Sequence, residues 1–264
     1  MSNEELLVSD DGPLRTLSLN RPQRRNAMNA SMLQALIDGA RQAEADPGVH
    51  AVLLRGEGGT FCVGGDVKAM AEGAGQELPV QHRVQALRSR MEASRLLHTM
   101  AKPTVAAIAG AAAGAGLSLA LACDFRVAAR SAKFTTAFAK VGLSGDFGGS
   151  WFLTHIVGTA RARELYLRPR TLGAEEARTL GLVTEVVDDD QLEPAAHAFA
   201  LELAHGPSVT LGYMKRNMNF ALTGSLEAAL DLEAAHHIQS SLTADHREAA
   251  AAFVEKRPPR FSGR

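Results

Sequence analysis

The chain has 264 residues, of which 46% are hydrophobic and 22% charged, and its formal net charge is -1. That length is enough for one large domain, or a domain with a small appendage, around a sizeable core. The near-neutral balance excludes a disordered or polyanion-coating protein, so no nucleic-acid partner is expected. Cys62 and Cys123 stand in no metal-ligand spacing and fit buried thiols in a reducing compartment. The acidic start Met1-Ser2-Asn3-Glu4-Glu5 has neither the basic flank nor the apolar core of a secretion signal. The apolar run from Thr104 to Cys123 is interrupted by Gly110, Gly114, Gly116 and Ser118 and reads as a buried strand and helix rather than a membrane span. A cytoplasmic location without membrane contact is the expectation.

In chain order, Leu14 to Leu19 alternates as a half-buried strand, and Asn20-Arg21-Pro22 stops it because proline cannot donate to a ladder. From Ser31, placed as an N-cap, Met32, Leu33, Leu36, Ile37 and Ala40 fall on one helical face, closed by Asp46-Pro47-Gly48. Val49 to Arg55 predicts a second strand and Gly56-Glu57-Gly58-Gly59 a turn, followed by a glycine-bearing loop from Phe61 to Asp66. Residues 72–82 read as a mobile surface loop, and Arg83 to Met100 as helix. Pro103 introduces the strand Thr104 to Ala109, after which Gly110 to Gly116 opens a short helix ending near Ala122. Phe125 to Ala129 is a further strand, 142–149 a third glycine-rich loop, and Ser150 to Ala204 helical around a short strand near Leu182 to Val187. Alternation gives way to helices alone, so an α/β core domain over 1–204 is followed by a helical region over 205–264 that packs on it.

The loops Val63-Gly64-Gly65-Asp66 and Ala113-Gly114-Ala115-Gly116 each lie between an apolar strand and a helix, where unpaired backbone N–H groups point outward. Such amides bind a phosphate or an oxyanion developing on a carbonyl, and small residues let the ligand approach the main chain. A plain tight turn under a helix is the structural alternative. The dinucleotide reading of Gly114-Ala115-Gly116 fails: about six residues of helix are too few for a crossover, and no acidic residue ends the next strand about twenty positions on.

Several runs together resemble the crotonase (enoyl-CoA hydratase/isomerase) superfamily in order and spacing. They are Leu19-Asn20-Arg21-Pro22 with Asn26-Ala27-Met28, Phe61-Cys62-Val63-Gly64-Gly65-Asp66-Val67-Lys68, Lys102-Pro103-Thr104-Val105-Ala106-Ala107-Ile108 with Gly110 and Gly114-Ala115-Gly116, and Cys123-Asp124. Val141-Gly142-Leu143, Gly148-Gly149, Ala177 with Gly181-Leu182-Val183, and Phe253-Val254-Glu255-Lys256-Arg257-Pro258 extend the likeness over nearly the whole chain.

The resemblance implies an α/β fold of repeated ββα units and a C-terminal helical region that forms a homotrimer or a dimer of trimers. It implies an acyl-CoA thioester substrate, with no cofactor besides the coenzyme A of the substrate. The oxyanion amides by motif position are those of Gly65 and Ala115, the latter standing where glycine is usual; alanine serves if its φ is negative and its methyl points away. Arg24 and Lys256, with Arg25 and Arg257 as alternatives, are the implied phosphate partners, while Ala27 and Gly65, Asp66, Val67 and Lys68 line the path of the coenzyme. Asp66 has the alternative of capping a following helix.

The two glutamates of the family's hydratases are replaced by Ser118 and Phe138, and serine is a poor base near its ordinary pKa. One carboxylate remains, Asp146, in a loop that resembles those of dienoyl-CoA isomerases and of ring-epoxide phenylacetyl-CoA isomerases. Beside Phe138 and Phe147 its pKa can be raised so that it shuttles one proton between two substrate carbons; otherwise it caps the helix starting near Ser150. The expected activity is an enoyl-CoA isomerase. The alternatives are a hydratase or hydrolase that activates water with Ser118 or Asp146, and an acyl-CoA-binding oligomer with weakened catalysis. No metal is expected, since the adjacent His236 and His237 face different sides of a helix. Asp188-Asp189-Asp190 reads as a solvated turn.

Overall fold

In a computed structural model, residues 4–66 and 78–264 are described. Val67, Lys68 and most of the predicted 72–82 loop lie outside them. Strands β1 (Leu6–Asp11), β2 (Leu14–Leu19), β3 (Ala51–Gly56), β4 (Thr104–Ile108), β6 (Phe125–Ala129) and β9 (Glu185–Val187) form a six-stranded sheet in that spatial order, parallel except for the β1–β2 hairpin. Strands β5 (Ala111–Ala113), β7 (Lys133–Thr135) and β8 (Leu172–Gly173) form a smaller sheet. Parallel neighbours need crossovers. Between β2 and β3 this is α1 (Ala30–Ala45); between β3 and β4 the described part is α2 (Val80–Arg90) and α3 (Glu92–Thr99). The segment from β4 to β6 crosses through β5 and α4 (Ala115–Leu121), so strand, second strand and helix recur as a unit.

The predicted strand over 14–19 has the observed bounds, as does that over 125–129. The cap of α1 differs: Asn29, not Ser31, accepts the Met32 N–H at 2.9 Å, because extended backbone at Asn29 points its side chain into the first turn. Ser31 instead bonds Glu5. The helix predicted over 83–100 is two helices meeting at Met91.

The remaining helices are α5 (Gly149–Leu167), α6 (Ala174–Thr179), α7 (Leu192–Ala204), α8 (Ser208–Ala221), α9 (Leu226–Ser241) and α10 (Ala244–Glu255). Lys215 of α8, only 5% exposed, reaches into the core. Its Nζ donates to Asp124 at 2.7 Å and to the Leu97 and Lys102 carbonyls at 3.0 and 3.2 Å. Asp124 also accepts from the Thr104 N–H and hydroxyl. This knot fastens the C-terminal helices to the start of β4. Lys215→Met leaves the Asp124 carboxylate without its cation and should cost about 3 kcal/mol in urea unfolding. None of the helices among the described residues is long and apolar enough to cross a membrane.

Candidate active site

Register builds the site. Cys62 and Ala112 face one another in a parallel bridge: the Cys62 N–H donates to Ala111 O and the Ala113 N–H to Cys62 O, both at 3.0 Å. Three residues further along each segment stand Gly65 and Ala115, so parallel pairing carries the two predicted amides forward at the same level. Gly64, at φ 94°, holds the first loop against the second: a Cβ there would lie 2.9 Å from Ala113 O and 3.3 Å from Ala115 N. Ala115 opens α4, and the positive φ of the turn, 53°, falls on Gly114 rather than on the alanine. Neither the Gly65 nor the Ala115 N–H donates to another described residue.

On the outer side of the first loop, the Met28 N–H donates to Gly64 O at 2.7 Å and the Asp66 N–H to Met28 O at 3.3 Å. Buried Asn26 holds this arm in place by donating to the Glu57 and Thr60 carbonyls and accepting the Arg21 N–H. Met28 is thus paired with Gly65, Ala27 precedes it in the same arm, and Arg24 is exposed. Asp66 pairs with Arg21 at 3.4 Å. Lys256 closes α10, and no hydrogen bond or ion pair among the described residues links it with Arg24; Arg257 is engaged by Glu248 and Glu255. The tail beyond returns to His50, next to the N-terminal end of β3, the end opposite the glycine loops.

On the inner side β7 pairs with β5 and delivers Phe138 beside Gly114. The loop 142–149 follows, with Gly145, Phe147 and Gly148 all in left-handed conformations (φ 107°, 51° and 75°). A bulky residue there is costly, and such strain collects at functional loops. Asp146 does not cap α5. That role falls to Gly148 without a side-chain bond, and Asp146 contributes only its carbonyl to the Gly149 N–H. Its carboxyl oxygen Oδ1 is sealed from solvent with no hydrogen-bond partner, and burial pushes the pKa up to about 6. Phe138 and Phe147 are both buried.

Ser118 is 1% exposed, and its hydroxyl donates back to Gly114 O at 3.3 Å. The space it shares with Leu117, Thr136, Phe138, Gly149 and Tyr166 has no room for a water molecule. A Cβ on Gly149 would lie 2.2 Å from Ser118 Oγ and 2.6 Å from the Tyr166 hydroxyl. Gly149→Ala should therefore lower stability by about 1–3 kcal/mol in thermal or urea unfolding, with partial relief in the Gly149→Ala, Ser118→Ala double variant.

Beyond Phe147 lies an apolar cavity of about 450 Å³ walled by Met91, Ser94, His98, Trp151 and Phe152. Tyr166 and this aromatic wall were not legible beforehand. Tyr166 lies in a helix whose periodicity marks only core and surface. Cys62 and Cys123 are free and buried, their thiols pushed up to about 12 by burial, so neither is a nucleophile. His236 stacks on Tyr213 and its Nδ1 meets Asn217.

Two outward amides on adjoining loops, and a raised carboxyl in a loop whose Phe147 and Gly148 border an apolar cavity, are groups of the kind that can hold an oxyanion and move a proton. The enoyl-CoA hydratase/isomerase profile matches residues 12–264, and the chain belongs to that family. Its fold is the crotonase fold. It superposes on an enoyl-CoA hydratase from Polaromonas sp. JS666 with a TM-score of 0.92 at 33% identity, over 97% of this chain and 99% of the other. It is 40% identical to the 1,2-epoxyphenylacetyl-CoA isomerase of Escherichia coli K12, over 94% of this chain and 95% of the relative. It is 39% identical to a probable enoyl-CoA hydratase of Rhodobacter capsulatus, over 95% of each. As a member of this family the chain acts on acyl-CoA thioesters.

Proposed function

We propose that the chain is an enoyl-CoA isomerase, shifting a double bond or rearranging a ring-epoxide thioester, in which Asp146 carries the proton. The carrying observation is the Asp146 carboxyl. It stands in the loop whose Phe147 and Gly148 border the apolar cavity, one oxygen is buried without a partner, and burial raises its pKa to about 6, close to what a base working at neutral pH needs. Asp146 takes a proton from a carbon near the thioester, and the electron pair passes to the thioester oxygen. The Gly65 and Ala115 N–H groups hold that oxyanion. The resulting Asp146 carboxylic acid then returns its proton to a different carbon, and the enolate carbonyl reforms. No water enters or leaves.

Ser118 supports this reading against hydration, since its hydroxyl lies in a space too small for water. Phe138 and Phe147 dry the proton path. The aromatic-walled cavity beyond Phe147 suits the acyl group, and the likeness to an epoxyphenylacetyl-CoA isomerase favours a ring there. Arg24, Ala27 and Lys256 are the proposed coenzyme A contacts. Exposed apolar residues on the last helices, among them Phe253 at 86% and Val254 at 80%, favour a homotrimer or a dimer of trimers, testable by light scattering. The buried free thiols suit the cytoplasm.

The test is turnover of 2-enoyl, 3-enoyl and ring-epoxide acyl-CoA thioesters in heavy-oxygen water, read by mass spectrometry. Rearranged product without label is expected. Labelled 3-hydroxyacyl-CoA would make the chain a hydratase instead.

A further inference from the structure

Three polar atoms around the Asp146 loop are buried without a partner: Asp146 Oδ1, an acceptor, the hydroxyl of Tyr166, a donor, and Ser94 Oγ on the wall of the cavity that Phe147 and Gly148 border. Tyr166 lies near the C-terminal end of α5, and its ring stacks on Phe138 with centroids 5.8 Å apart and planes 19° apart. Its tip fills the room left by two glycines that bracket Asp146. A Cβ on Gly145 would lie 2.9 Å from the hydroxyl, and one on Gly149 2.6 Å from it. Phenylalanine would pack the same ring and avoid burying a donor, an omission that otherwise costs about 1–3 kcal/mol. The hydroxyl therefore calls for a polar role. Ser118, whose own proton goes to Gly114 O, stands close enough to weigh on the phenol's acidity but makes no well-formed hydrogen bond to it.

We propose that Tyr166 is a positioning residue for the proton carrier: its hydroxyl donates to the inner carboxyl oxygen of Asp146, Oδ1, when substrate closes the site, and leaves the other oxygen to face the substrate. This rests on Asp146 being the acid/base. The phenol is suited to donating, because burial and the neighbouring Asp146 carboxylate push it up to about 12 and keep it protonated. Among the described residues Tyr166 is the unpartnered donor that lies against both glycines bracketing Asp146, whereas Ser94 stands on the cavity wall with Phe147 and Gly148. Phe138 and Ser118 face the cluster from their own elements, Lys140 of the preceding turn is exposed, and Arg88, Arg95 and His98 line the cavity that Phe147 also borders. No ion pair joins any of these cations to Asp146.

The experiment is the pH dependence of kcat, which reports the substrate-bound enzyme, for Tyr166→Phe, set beside Asp146→Asn. A donor to the ionised form lowers a carboxyl pKa, so its loss should move the acid limb up by about one pH unit. The same variant should lower kcat by about tenfold while KM changes by less than about threefold. A limb and kcat unchanged in Tyr166→Phe, with Asp146→Asn inactive, would overturn the positioning role alone. An active Asp146→Asn would overturn the reading of Asp146 itself. Should the variant not fold, the unaltered chain with 3-fluorotyrosine at Tyr166 and Tyr213 replaces it. The more acidic phenol is the stronger donor, so the limb should move down, and an unmoved limb overturns the proposal.

Discussion

Asp146→Asn should lower kcat for isomerisation by on the order of a hundredfold or more, the usual loss for a positioned general base. The amide keeps the side chain's shape but cannot take up a proton. In the unaltered enzyme kcat/KM should fall as pH drops through about 6, because the base must be ionised to abstract a proton and its pKa is raised to about 6. The same variant should gain stability near neutral pH. A carboxyl whose folded pKa lies above its ordinary 3.8 binds its proton more tightly in the folded than in the unfolded state. Stability therefore falls as pH rises from about 4 through about 6. Since the residue is only half-buried, a melting-temperature rise of about 2–4 °C at pH 7 is expected, vanishing below about pH 4. Rate and melting point moving in opposite directions would mark a residue kept for chemistry. An unchanged rate would leave Asp146 without a catalytic role and reopen the mechanism.

The second large effect concerns the backbone. Replacing the Ala115 peptide N–H by an ester oxygen, through incorporation of lactic acid at position 115, deletes one donor and leaves the side chain intact. This N–H opens α4 and has no partner among the described residues, so the helix loses no donor; the Gly114 carbonyl, now an ester, accepts the Ser118 N–H and hydroxyl more weakly, a small effect that a melting curve reads separately. The loss should fall on kcat, by about 10²–10³-fold, since the oxygen gains its full negative charge only in the transition state. KM should change little. A KM effect alone would mean that the amide holds the ground-state thioester and contributes nothing to the enolate.

The main strands, the glycine loops and the carboxylate were legible in the sequence for local reasons. Apolar alternation over 14–19 fixes a strand, glycine permits the turns at 64 and 114, and no acid stands at 118 or 138. Local signals erred where two residues compete for one function: Ser31 and Asn29 both suit a helix cap and both donate to Glu5, and the extended backbone at Asn29 decides which of them caps. What tertiary structure alone decided is adjacency. Gly65 and Ala115 lie fifty positions apart, and the pairing of Cys62 with Ala112 brings them level. Asp146 could be read as cap or catalyst from its position alone; packing gives the cap to Gly148 and leaves the inner oxygen of Asp146 buried without a partner. Tyr166 carried no signal at all, because an aromatic residue in a helix is ordinary. It acquires meaning only where stacking on Phe138 and the absence of side chains at Gly145 and Gly149 set its hydroxyl against the two glycines that bracket Asp146. Sequence sets which backbone shapes and chemical groups are available, through short-range sterics and periodicity. Which groups lose their water together depends on packing between segments far apart in the chain, and that loss of water raises the Asp146 carboxyl.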